Sequence, residues 1–265
     1  MKTTIQNVIN RLIDPVGRLT ETVDSLYYGN PQAEVSGIVT AFMPTQRVLE
    51  RALELNANLV IAHEGPFFQH KPPLDSTYGD DPVFAAKKKF ILDSGLSIFR
   101  FHDYWHRYPQ DGIMLGLIEA LAWDTYVQKH EPAYSVMEIP ATSVIDIANY
   151  LKKTLDIPCV RVGGEMDTLC SRVGLLAGYR GGGQLVIPLM EQENLDLVVY
   201  GEGPEWETPE YVRDAVWQGR SKALIVLGHA ESEEPGMKLL ADLLQRQFPE
   251  IPVHFVREKP VFQWI

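Results

Sequence analysis

Several short, almost wholly apolar runs that stop abruptly at polar clusters constrain this chain most. Asn58-Leu59-Val60-Ile61-Ala62 stops at His63-Glu64-Gly65-Pro66, and Leu96 to Phe101 runs into His102-Asp103-Tyr104-Trp105-His106. Leu197 to Tyr200 is another such run, and Ala223 to Leu227 stops at Gly228-His229. A strand with one wet face alternates apolar and polar residues. A run that is apolar throughout needs cover on both faces, which is the pattern of a parallel sheet. Between the runs lie stretches with helical spacing. Arg47 to Leu55 puts Val48, Ala52 and Leu55 on one face, and Ile113 to Leu121 is similar. Val83 to Leu92 is opened by Pro82 and closed by Gly95. This alternation predicts an α/β fold with mostly parallel sheets flanked by helices.

The rest of the chain extends the pattern. An opening helix over 3–13 carries Ile5, Val8, Ile9, Leu12 and Ile13, and Gly37 to Phe42 is β-prone. The stretch from Phe67 to Asp81 reads as a loop, and Glu131 to Ala141 as a connection. A second α/β section begins at Thr142-Ser143, either of which can cap a helix to Leu155. Strands follow at Val160 to Val162 and Val173 to Ala177, helices at Pro209 to Gln218 and Pro235 to Gln247, and a last strand at Val253 to Val256. With 265 residues the chain suits one large domain or two intertwined ones, each with its own core.

Composition narrows the partners. A formal net charge of -11 repels phosphate backbones, and the densest basic run, Lys87-Lys88-Lys89, reads as the solvated face of a helix. No nucleic-acid partner is expected. Cys159 and Cys170 form no CxxC pair and are too few to staple the fold, so they read as reduced, partly buried thiols. The N-terminus has no apolar signal region, and no stretch of about 18 apolar residues occurs. A cytoplasmic protein with no membrane partner is expected.

The chemistry collects at strand ends. Of seven histidines, His63, His102, His106 and His229 fall at or just beyond the C-terminal ends of expected strands. In an open parallel sheet that edge is where ligands bind. Carboxylates stand close by: Glu64, Asp103, and Glu231 or Glu233. Imidazole nitrogens with carboxylate oxygens form the ligand sets of zinc, manganese, iron and cobalt. Any one of these histidines has an ordinary explanation as a cap or surface residue, and Glu233 as a first-turn carboxylate. Coincidence across three segments is what points to a metal site. His70, His130 and His254 lie in less suggestive settings. Tyr179-Arg180-Gly181-Gly182-Gly183 lacks the Lys-Ser/Thr of a P-loop and the spacing of GxGxxG, so it reads as a turn. There is no GxSxG elbow, and neither cysteine has a histidine near it in sequence.

These blocks carry a resemblance over essentially the whole chain. They are Leu59-Val60-Ile61-Ala62-His63-Glu64-Gly65-Pro66 with Phe67-Phe68, His102 to His106, Tyr200-Gly201-Glu202, and Gly228-His229-Ala230-Glu231-Ser232-Glu233. Together they resemble the NGG-one-interacting-factor-three-like family, often labelled GTP cyclohydrolase I type 2 homolog. The resemblance implies two related α/β domains, a dinuclear metal site in the cleft between them, and ring-shaped homo-oligomers. Carried over by position, the metal ligands fall on His63, Glu64, His106, His229 and Glu233. Two positions depart from the family pattern: consecutive histidines are replaced by His63-Glu64, and an aspartate by His106. The exchanges offset each other, keeping three imidazoles and two carboxylates. An early family aspartate is also missing, since this chain reads Phe42-Met43-Pro44-Thr45.

The resemblance implies two divalent transition ions, zinc, iron, manganese or cobalt, and with them hydrolysis of a small polar molecule, nucleotide-like or heterocyclic. Asp103 and Glu202 are candidates to orient a ligand or accept a proton. The competing readings are a non-catalytic metal-binding regulatory or scaffold protein, and a metal-free α/β protein whose histidines are structural. The expected boundaries are a metal-binding domain from residues 1–130 plus 222–265, which brings His229 and Glu233 beside His63, and a second domain over 131–221. The apolar end, Pro260-Val261-Phe262-Gln263-Trp264-Ile265, suggests buried contact within the chain or in a homo-oligomer.

Overall fold

A computed structural model describes residues 2–71, 78–79 and 81–263. Residues 72–77 and 80 of the expected loop, and Trp264 and Ile265 of the apolar end, lie outside the described residues. The chain divides into two compact units, Met1–Gly112 with Met237–Lys259, and Ile113–Gly236 with Pro260–Ile265.

The first unit is built on a five-stranded sheet. Its strands are β1 (Leu26–Tyr28), β2 (Ile38–Ala41), β3 (Leu59–Ala62), β4 (Ser97–Arg100) and β11 (Val253–Phe255), in the order β1-β4-β3-β2-β11. All pairings are parallel except β1 with β4. Every residue of β2, β3 and β4 is buried, as the unbroken apolar runs require. Each fully buried Leu, Ile or Val stabilises the sheet by about 1.5–3 kcal/mol relative to exposure. Helix α1 (Ile5–Ile13) buries Ile5, Val8, Ile9 and Leu12, and a capping box fixes its start. In that box the Asn7 N–H donates to Thr4 Oγ1 and the Thr4 N–H donates to Asn7 Oδ1. Helix α2 (Gln46–Glu54) is capped by Thr45. Helix α3 (Pro82–Ser94) starts at its proline and ends at Gly95.

In α3 the basic run departs from expectation, because Lys87 is buried rather than solvated. Its ammonium donates to the Pro66 carbonyl at 2.5 Å and lies 5.8 Å and 5.7 Å from the centres of the Phe67 and Phe68 rings. Burial lowers its pKa to about 8. Lys87 thereby anchors the loop that carries His63 and Glu64.

The second unit holds a mixed six-stranded sheet. Its strands are β5 (Val127–Glu131), β6 (Tyr134–Ser143), β7 (Arg161–Gly163), β8 (Leu169–Leu176), β9 (Leu197–Tyr200) and β10 (Ala223–Val226), in the order β5-β6-β8-β9-β10-β7. The inner strands β8, β9 and β10 are parallel, whereas β5, β6 and β7 join antiparallel. The stretch expected to be a connection, Glu131 to Ala141, is mostly strand β6, hairpinned to β5. That hairpin has no apolar run to betray it, since no residue of β5 is fully buried. Helix α5 (Gly112–Ala120) leads into this unit, and helices α6 (Val144–Leu155), α7 (Gly183–Gln192) and α8 (Thr208–Trp217) belong to it, with Ser143 rather than Thr142 capping α6.

Two corrections follow from the pairing. Ala223–Val226 does not return to the first sheet at residue 222, because it pairs with β9 on one side and β7 on the other. The first unit resumes at Met237, inside helix α9 (His229–Gln247), and is completed by β11 beside β2. His229 and Glu233 therefore belong to the second unit. Helix α9 also begins six residues before Pro235, where the sequence placed its start. A helix interior does not favour proline, which is why the sequence pointed to the later start. Neither cysteine is in a disulfide, and burial pushes the Cys170 thiol up to about 12, which removes it as a nucleophile. No helix among the described residues is long and apolar enough to cross a membrane.

Candidate metal-binding site

In the first unit the parallel register places the ends of β3 and β4 at one sheet edge. Ladder bonding continues past β3, with the His63 N–H donating to Ala41 O and the Glu64 N–H to Phe42 O. After β4 the chain turns into α4 (Asp103–His106), a single turn closed by the His106 N–H donating to His102 O at 3.1 Å. A turn this short is held from outside. Asp24 Oδ1 accepts from the N–H groups of His102 and Asp103, and Asp24 Oδ2 accepts from that of Tyr104. Burial raises the pKa of Asp24 against those bonds, which favour the carboxylate.

The turn aims His102 and His106 at His63. Ring centres are 4.4 Å apart for His63 and His102, and 4.9 Å for His106 with either of the others. One donor atom from each of the three lies within 4.8 Å of the other two, so the group could hold a metal ion. His102 Nδ1 pairs with Asp103 Oδ1 at 2.9 Å, and His106 Nδ1 with Asp111 Oδ2 at 2.8 Å. A carboxylate on one ring nitrogen fixes the tautomer and leaves Nε2 as the donor for a metal. Burial, then the neighbouring His63 and His106, hold the His102 pKa far below its ordinary value, so the ring is neutral at pH 7. Asp103 is partly buried, which opposes ionisation. The Val23 N–H and the bond with His102 outweigh this and hold its pKa at about 2.

Glu64 sits beside this group in a different setting. The wholly buried Arg100 donates from Nη2 to Glu64 Oε2 at 2.5 Å, from Nε to His63 O at 3.3 Å, and from Nη1 to His70 O. Arg100 Nη2 also lies 3.0 Å from His70 Nδ1. Glu64, His70 and His102 form a second group whose donor atoms could hold a cation.

In the second unit the loops after β8, β9 and β10 meet at one edge. His229, at the start of α9, pairs through Nδ1 with Glu202 Oε2 at 2.9 Å, while its Nε2 lies 3.4 Å from Glu233 Oε2. Burial alone would lower the His229 pKa, but the bonds to Glu233 and Glu202 raise it to about 9. Glu233 is almost fully buried against Gly178, where a Cβ would fall 2.0 Å from Glu233 Oε1. Ser232 Oγ ties the loops together, accepting from the Gly178 N–H at 2.9 Å and donating to His229 O at 2.8 Å. The glycine-rich turn at Tyr179 to Gly183 is no phosphate cradle. The Gly183 N–H at the start of α7 already donates to the Glu207 carboxylate at 2.6 Å.

Of the residues the sequence pointed to, His63 and His106 fall in one group of donor atoms, Glu64 falls in another with His70 and His102, and His229 and Glu233 are adjacent. Sequence reasoning passed over His102 as a ligand, His70, Asp111 and Arg100. The His102 to His106 spacing of four was the available signal for one pair, since residues so spaced share a helix face. Nothing local marks Asp24, 78 residues before His102, as the cap of that turn.

Known proteins share this architecture. A Clostridium perfringens protein described as a GTP cyclohydrolase 1 type 2 homolog is 23% identical over 267 residues, covering 96% of each chain. The crystal structure of a Bacillus cereus protein related to NIF3 superposes with a TM-score of 0.80 at 14% identity, covering 100% of both chains. That of the Staphylococcus aureus protein SA1388 gives 0.77 at 19% identity, covering 99% of both. Residues 3–260 match the DUF34/NIF3 (NGG1p interacting factor 3) family, and the chain belongs to it.

Proposed function

We propose that this protein is a metal-dependent hydrolase that binds up to two divalent transition ions per chain and acts on a small polar molecule, nucleotide-like or heterocyclic. The observation that carries this reading is the repeated pairing of histidine Nδ1 with a carboxylate, in His102–Asp103, His106–Asp111 and His229–Glu202. Core histidines need no such partner three times over, whereas ligand histidines almost always have one. The donors assigned are His63 and His106 in the first unit, with Glu64 and His102 competing for the remaining position, and His229 and Glu233 in the second. Imidazole-rich sets of this kind suit zinc, iron, manganese or cobalt better than magnesium or calcium.

A bound divalent ion supplies Lewis acidity, acidifying water and polarising a carbonyl or phosphoryl oxygen. The chain's own residues supply orientation and proton transfer. Asp103 has Oδ1 on His102 and Oδ2 on the Val23 N–H, so it holds a ring in place. Glu202 bonds His229 through Oε2 and is half exposed, which suits it to accept a proton from a substrate or water. The homologous Clostridium perfringens protein carries a cyclohydrolase description, which supports a hydrolytic reading.

Elemental analysis of protein purified without an affinity tag, then dialysed against zinc and manganese, tests the metal. Up to two ions per chain are expected, and no uptake would refute the site. Turnover tested on nucleotide and heterocycle panels with the loaded protein separates the hydrolase from a metal-binding scaffold, which would hold metal without turnover.

A further inference from the structure

Glu64 and His102 are unequal candidates for the first-unit ion, and the reason is Arg100. We propose that His63, His102 and His106 bind one ion as a three-imidazole set, with Glu64 held out of the coordination by Arg100. The inference rests on the metal-binding reading above and decides which residues of this chain carry it.

The three donor atoms lie within 4.8 Å of one another. A tetrahedral zinc with Zn–N bonds of about 2.0–2.1 Å needs nitrogens about 3.3–3.4 Å apart, so closing the set takes side-chain shifts of about 1 Å. Two of the three rings are already aimed for it. Asp103 and Asp111 pair with Nδ1 of His102 and His106, so that Nε2 is the atom each ring would offer a metal, that of His102 lying 3.8 Å from Glu64 Oε1, and Asp24 clamps the turn that carries them.

The competing group, Glu64 with His70 and His102, is built around a cation already present. Arg100 Nη2 lies 2.5 Å from Glu64 Oε2 and 3.0 Å from His70 Nδ1. Its guanidinium is fully buried and tied by Nε to His63 O and by Nη1 to His70 O, so it cannot swing away without losing three partners. An ion held between Glu64 Oε2 and His70 Nδ1 would have to take the place of Arg100 Nη2, which already contacts both. The same carboxylate serves Arg100 well, because a buried guanidinium must be paired. The consequence for chemistry is a neutral ligand set. The ion keeps its full charge and therefore favours an anionic fourth ligand, such as the carboxylate or phosphate of a small molecule.

Cobalt(II) is the probe, titrated into the full-length metal-free protein in competition with a chelator. The wild type is compared with Glu64→Gln, His102→Ala and Asp103→Asn. Far-UV circular dichroism and the urea midpoint of each metal-free variant report folding. Glu64→Gln keeps an amide oxygen for Arg100 and is expected to bind cobalt within about threefold of wild type. His102→Ala is expected to lose more than about 100-fold in affinity at one site. Asp103→Asn, which leaves the ring in place but loosens its tautomer, is expected to lose about 10–100-fold. Loss of a site in Glu64→Gln, alone or together with His102→Ala, would overturn the exclusion of Glu64. Unchanged binding in both histidine-directed variants would overturn the three-imidazole set. A wild type that takes up no cobalt would instead remove the metal reading on which the inference rests.

Discussion

Replacing Gly178 by alanine tests whether the second-unit group is built as tightly as its geometry implies. Gly178 has a φ of +69°, and an added Cβ would lie 2.0 Å from Glu233 Oε1, 3.0 Å from Glu233 Cδ and 3.4 Å from His229 Nε2. Two costs follow. The left-handed backbone disfavours an L-residue by about 1–2 kcal/mol, partly offset by the roughly 0.4–1 kcal/mol that alanine removes from the unfolded chain's entropy. The methyl must also displace a carboxylate from a buried position, and overpacking of that kind costs about 1–3 kcal/mol. Gly219 separates the two, because its φ is +77° with nothing within 4 Å of the Cβ position. Gly219→Ala should therefore cost about 0.5–1 kcal/mol, and Gly178→Ala about 2–4 kcal/mol. Urea unfolding of the metal-free proteins, followed by tryptophan fluorescence, gives both values. The His229 ring should also titrate closer to its ordinary range in Gly178→Ala, as followed by NMR, since Glu233 no longer faces it. Equal destabilisation of the two variants, within about 0.5 kcal/mol, would refute the reasoning.

Other outcomes follow from the same contacts. Asp111→Asn should weaken metal binding about 10–100-fold through His106 while leaving the urea midpoint nearly unchanged, and unaltered chelator competition would count against Asp111 as the orienting group. The folded-state pKa of His229, about 9, lies above its ordinary 6.5. Its pairing therefore stabilises the metal-free fold fully below about pH 6.5, down to where Glu233 protonates, and that stabilisation fades as pH rises through 9. The stability gap between wild type and Glu233→Gln should accordingly narrow between pH 6.5 and 9.5, and a constant gap would contradict the assigned pairing. Val261 and Phe262 are largely exposed in the single chain. Sedimentation should show a homo-oligomer at micromolar concentration, and a monomer would remove that expectation.

The sequence determined the skeleton of this protein. The unbroken apolar runs at Leu59–Ala62, Leu197–Tyr200 and Ala223–Val226 became strands buried at every position, because only a strand covered on both faces can hold them. Gly95 and the pair Thr142-Ser143 marked helix ends, because a left-handed turn or a cap's hydrogen bond is decided within a few residues. The same local logic located His63, His106 and His229 just past strands, where a parallel sheet gathers its loops.

Only tertiary structure decided what those residues face. Ala223–Val226 looks the same in either sheet, and its hydrogen bonds to β9 and β7 alone place His229 and Glu233 in the second unit. The hairpin of β5 and β6 escaped notice because an exposed edge strand carries little apolar signal. Arg100 reads in sequence as the polar end of a strand, yet it is wholly buried and claims Glu64 and the His70 carbonyl from 30 or more residues away. Asp24 and Asp111 fix the directions of His102 and His106 through contacts that no spacing rule encodes. Periodicity and capping act over a few residues and so are written locally. Which carboxylate meets which histidine depends on how distant segments fold against each other.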